Sequence, residues 1–133
     1  MDFALTPEEW EPLSHVPELD LIALAVELDV VAPARVDPRS LFEQCVLALV
    51  DKAKAEGLPF SKYDAADLAA LPPDDLTALG RLQGIQGAVT ADAVLKVGKR
   101  VFKLYSRQRP ESQVALFLPM LLTAVARVAR LTS

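Results

Sequence analysis

Cysteine and histidine are nearly missing from this 133-residue chain: Cys45 and His15 stand alone. One cysteine excludes an internal disulfide and a cysteine-based metal cluster, and one histidine excludes paired-histidine chemistry and His-rich metal sites. No metal and no cofactor is expected. Aromatic residues are only 6% of the chain, and strand-favouring residues are few beside the abundant Ala and Leu, a balance that suits helix. The longest apolar run, Val114 to Leu122, is too short to cross a bilayer, which takes about 20 residues. It reads as a buried helix, with Arg127 and Arg130 at its end leaving only peripheral membrane contact open. The start, Met1-Asp2-Phe3, has neither the basic region nor the apolar core of a signal peptide, so cytoplasmic residence is the expectation.

What is present is apolar. Hydrophobic residues make up 52% of the chain and charged residues 24%, which excludes intrinsic disorder and fits one helical domain of ordinary size. The net charge of −4 hides a division. Residues 1–80 carry sixteen acids and five bases, whereas residues 81–133 carry two acids and nine bases. The two parts attract, either within a fold or between subunits.

Capping signals and prolines punctuate the helices. Thr6, Pro7 and Glu9 form a capping box that opens a helix over 7–11, which Pro12 limits to about a turn and a half. Pro17 opens a second helix to Val31, apolar all round at its centre. Asp37-Pro38 opens a third, to Glu56, with Phe42, Cys45, Val46, Leu49 and Ala53 on one stripe; Gly57 ends it in a left-handed conformation. Ser61 and Asp64 make a second capping box before a short helix to Leu71, and Asp74 and Asp75 start another that reaches residue 83. Residues 84–89 read as an internal hinge. Thr90 caps a helix over 91–108, and Pro110 with Glu111 opens the last, to Leu131, with a kink expected at Pro119. The fold class that follows is all-α: a compact irregular bundle of four longer helices (17–31, 38–56, 91–108, 111–131) and three short ones (7–11, 64–71, 74–83).

Catalytic patterning is scarce. The glycines at 80, 84 and 87 lack the Lys-Ser/Thr of a phosphate-binding loop. Cys45 sits on an apolar stripe and reads as a small core residue rather than a nucleophile, with nothing to bring His15 to it as a base. The acid pairs lie mostly in first turns, where the helix dipole accounts for them.

Two surfaces carry functional content. Lys96, Lys99, Arg100, Lys103, Arg107 and Arg109 form a basic stripe in and just after the sixth helix, suited to phosphate backbone or to an acidic protein surface. The second and last helices carry more apolar surface than one small domain readily hides, and Leu21, Leu24, Leu28, Phe117 and Leu121 are the candidate apolar interface. The expected function is a noncatalytic protein-interaction or scaffold module that self-associates as a homodimer. The alternatives are nucleic-acid binding through helix 91–108, and a small-ligand-binding helical protein or enzyme.

Overall fold

The computed structural model describes residues 3–30, 37–110 and 112–132. It is all-α, with seven α-helices and one 3-10 turn among the described residues: α1 (Pro7–Leu13), α2 (Glu18–Glu27), α3 (Pro38–Ala55), the turn Lys62–Asp64, α4 (Ala65–Ala70), α5 (Pro73–Leu82), α6 (Ala91–Gln108) and α7 (Gln113–Thr132).

Local sequence chemistry sets most boundaries. The Thr6 hydroxyl accepts from the Glu9 N–H, and the Glu9 carboxylate accepts from the Thr6 N–H at 2.9 Å, closing the capping box of α1. Pro12 does not end this helix, which runs on to Leu13. Pro12 withholds only the N–H that would reach the Glu8 carbonyl, and Glu8 is exposed, so water can take that place. The helix α2 stops at Glu27, short of the expected Val31, which lies outside the described residues. The cause is local: Asp29 turns left-handed, with φ of 56°, and the Val30 N–H returns to the Ala25 carbonyl at 2.8 Å. Asp tolerates this conformation better than most side chains do. Gly57 does the same for α3, at φ 94°. The Ser61–Asp64 capping box forms, but it caps the 3-10 turn, and α4 follows. Thr90 caps α6 through the Ala93 N–H. Pro119 lies inside α7; having no N–H, it deprives the Ala115 carbonyl of its ordinary helical donor. The expected first-turn residue Glu111 lies outside the described residues.

The core gathers around α7. This helix packs chiefly on α5, α3, α1 and α2, and it buries Val114, Leu118, Leu121, Leu122, Val125 and Val128 among others. Its length and composition would suffice to cross a membrane, but helices of this chain cover those side chains. From α3 come Phe42, Cys45, Val46 and Leu49, all fully buried. The Trp10 ring of α1 meets Phe42 edge-on, centroids 6.1 Å apart, so α1 closes one end of the core as a lid.

The helix α6 is held differently. It packs chiefly on α4, α5 and the 3-10 turn, and its anchor is Gly98. The Phe60 N–H donates to the Gly98 carbonyl at 3.1 Å, and the fully buried Phe60 ring lies where a side chain at position 98 would go. A Cβ there would stand 2.3 Å from Phe60 Cδ2.

Ion pairs join the acidic and basic parts through α7. Arg127 reaches Glu9 at 2.8 Å and also donates to the Ala4 carbonyl, while Arg130 pairs with the buried Asp75 at 2.7 Å. Asp75, read from sequence as an ordinary first-turn acid, is thus an inward-facing partner of α7. Burial disfavours the charged form of Glu9, but the Arg127 guanidinium and the Thr6 N–H outweigh it and hold the carboxyl below its ordinary range.

Two outcomes follow from this packing. In an open helix Gly→Ala stabilises by about 1 kcal/mol; Gly98→Ala is expected to reverse that sign and cost about 1–3 kcal/mol through overpacking against Phe60, measured by urea unfolding. Glu9→Gln keeps the capping geometry but loses the ion pair, and is expected to cost about 1–2 kcal/mol at neutral pH. Because the folded carboxyl titrates low, this contribution is present above the ordinary carboxyl range near 4 and fades as pH falls through the lower folded value. The wild-type and Glu9→Gln unfolding curves should therefore converge in acid.

Candidate interaction surface

The basic stripe lies open. Lys96, Lys99, Arg100, Lys103 and Arg107 are all exposed, and none makes an ion pair among the described residues. Their spacing puts them within about 100° of arc on α6, turned away from the Val94–Gly98–Val101 face that packs inward. Arg109 is exposed as well. It follows the end of α6 and turns back, donating to the Glu27 carbonyl at 3.4 Å with its guanidinium 5.7 Å from the Tyr105 ring centre.

Glu27 is the polar centre of this end of the bundle. Its carboxylate accepts from the Tyr105 hydroxyl at 2.8 Å, the Ser112 hydroxyl at 2.7 Å and the Gln113 N–H at 2.7 Å. One side chain at the end of α2 thereby fixes the last turn of α6 and the first turn of α7. Burial, and then the bond to Glu27, push the Tyr105 hydroxyl up to about 12, so it stays a donor. Lys52 lies over the same ring, 4.2 Å from its centre.

The candidate apolar interface is corrected as well. Leu21, Leu24, Phe117 and Leu121 are buried, and Leu28 is half-buried against the core. These are the residues by which α2 and α7 pack on α3 and on each other. The apolar surplus of α2 lies on its other side: Leu19 is 80% exposed, Val26 69% and Ile22 44%. Spaced i, i+3 and i+7, they fall within about 60° of arc. On α7 the exposed large apolar residues are Leu116, at 68%, and Leu131, at 57%, near the end of the helix. The sequence holds two such stripes on α2, Leu21–Leu24–Leu28 and Leu19–Ile22–Val26, with the same spacing. No local signal says which one turns inward.

Three depressions connect these residues. Ala23, Val26, Arg109 and Gln113 border one of about 530 Å³. Arg109 and Gln113, with Phe102 and Leu116, border a second of about 440 Å³. Phe102 and Leu116 also border the third and largest, about 670 Å³, a largely apolar groove between α6 and α7. Pro119 and Ala115 form its α7 wall, and Lys62 and Lys99 reach its rim. The Val26 end of the α2 strip is thus linked to this groove through adjoining depressions that share Arg109 and Gln113, then Phe102 and Leu116.

Other titratable residues offer little chemistry. Cys45 is fully buried, and burial pushes its thiol up to about 12. His15 is exposed in the α1–α2 connection beside Glu11, so the two do not form a thiol–imidazole pair. No cluster of three or more His, Cys, Asp or Glu is placed to hold a metal ion among the described residues.

No protein-family model, no curated protein and no solved structure matches this chain. Its own residues therefore carry the functional reading.

Removing the Glu27 carboxylate strands three donors at once. Glu27→Ala is expected to cost about 2–3 kcal/mol, the range for bonds to a charged acceptor, and to speed amide exchange at Gln113 about tenfold or more. Unchanged exchange would mean that this junction is held by apolar packing alone.

Proposed function

We propose that this chain is a noncatalytic protein-interaction module that self-associates through the face shared by α2, α6 and α7. One observation carries the reading: Leu19, Ile22, Val26 and Leu116 stay exposed, with Val26 and Leu116 joined by adjoining depressions, while among the described residues Leu131 is the other large apolar side chain of α2 and α7 left exposed. A run of exposed apolar side chains beside charged ones marks an association surface on a small domain. The exposed cations of α6 flank this face and supply the charge that would select an acidic partner surface. An intracellular setting accords with the buried lone thiol but is not required by it.

A second reading draws on the same stripe. Five exposed cations with no ion-pair partner among the described residues could follow a phosphate backbone. The acidic balance of the whole chain, with a pI near 4.9, opposes broad nucleic-acid affinity. The α6–α7 groove, at about 670 Å³, also has the size of a small-ligand site, with Ser61, Lys62, Tyr63, Asp64 and Lys99 among its lining residues.

Light scattering coupled to size exclusion at micromolar concentration separates these readings. The expected result is a mass near twice 14.4 kDa. Lys103→Glu with Arg107→Glu is expected to weaken assembly tenfold or more, while changing monomer stability by less than about 0.5 kcal/mol, as exposed positions do. A strict monomer that binds DNA or RNA at low salt, with affinity lost on Arg100→Glu and Arg107→Glu, would replace this reading with the second.

A further inference from the structure

We propose that α2 of one copy docks in the α6–α7 groove of a second copy, and reciprocally, in a closed two-fold dimer; this rests on the self-association reading above. The knob and the hole are both present on the chain. Leu19, Ile22 and Val26 show the i, i+3, i+7 spacing by which an amphipathic helix seats in a groove, and all three are exposed. Glu18 and Asp20 bracket Leu19 in the first turn, so the knob is acidic. The hole is the largely apolar trough bordered by Phe102, Ala115, Leu116 and Pro119; the exposed charged side chains that line it are the cations Lys62 and Lys99, its one acid, Asp64, being buried and bonded to Ser61.

Charge and topology both favour a second copy as the occupant. The opposite signs of knob and rim steer the two together. Depressions beside Arg109 and Gln113 link the Val26 end of the α2 strip to the groove, and a two-fold axis near Arg109 and Gln113 lays each strip on the other copy's groove. Such an interface is self-complementary and closes without leaving a free end.

The test is a complementation between two exposed positions. Leu19→Lys and Leu116→Glu each place a charge against an apolar partner in both halves of the homodimer, so each variant alone is expected to be monomeric. Mixed one to one, they form a heterodimer with two unlike contacts. In one, the introduced ammonium of the first variant meets the introduced carboxylate of the second across the interface. In the other, the original Leu19–Leu116 contact is kept. Light scattering should therefore show dimer in the mixture and not in either component, with at least a tenfold stronger association. Circular dichroism of each variant checks that the helices stay intact, which both exposed positions allow. If the two variants stay monomeric when mixed, or if Leu19→Lys disrupts the dimer while Leu116→Glu does not, this docking is overturned and self-association through another arrangement stands. A monomeric wild type overturns both. Capture of an added acidic amphipathic peptide by that monomer would assign the groove to a different protein instead.

Discussion

The burial of α7 is the constraint on which the rest depends. A twenty-residue helix with buried positions on most sides cannot be accommodated by one neighbour. It needs α1, α2, α3 and α5 around it, and that requirement leaves α6 at the periphery, seated on α4, α5 and the turn before α4. The groove is a by-product of this arrangement. Where α7 faces the outlying α6 across Leu116 and Pro119, the two helices flank a trough rather than a packed seam. The polar junction at Glu27 secures one end of that trough, and Phe60 against Gly98 secures α6 farther along.

Electrostatics follow the same division. The opposite charges of residues 1–80 and 81–133 do meet, but through Arg127 and Arg130 of α7, which reach Glu9 and Asp75. Those pairs lie at the edge of the core, where partial burial makes each bond worth more than an exposed one. The cations of α6 take no part in this exchange. They stay in solvent, and any energetic use of them has to come from outside the monomer.

The fold was legible in the sequence to the extent that its signals were local. Thr6 with Glu9, Ser61 with Asp64, Thr90, Gly57, the helix-opening Pro7 and Pro38, and the first-turn acids Asp74 and Asp75 each act within a turn, and each lies where its backbone chemistry places it. The early end of α2 was not legible, because it depends on a left-handed Asp29, and Asp favours that conformation only weakly. The candidate surface was half legible. The basic stripe is exposed along its predicted length because charges on a helix rarely turn inward, and Arg109 at its end also reaches back to the Glu27 carbonyl. The apolar residues were assigned to the wrong side of α2 and α7: Leu21 and Leu19 carry the same chemistry, and only the positions of α3 and α7 decide which one is dry. Glu27 was missed for a related reason, since its three donors come from Tyr105, Ser112 and Gln113, far along the chain.

The order of the helices bears on how the molecule is made. Every helix that packs against α7 is translated before it, so a nascent chain that has emerged only as far as α6 has leucines and phenylalanines with no partner to cover them. Its core can close only once α7 itself clears the ribosome tunnel. Closure of this core is then a late event that waits on the contacts α7 makes with helices far earlier in the chain. Until that moment the emerging chain is a natural client for chaperones that hold apolar segments apart.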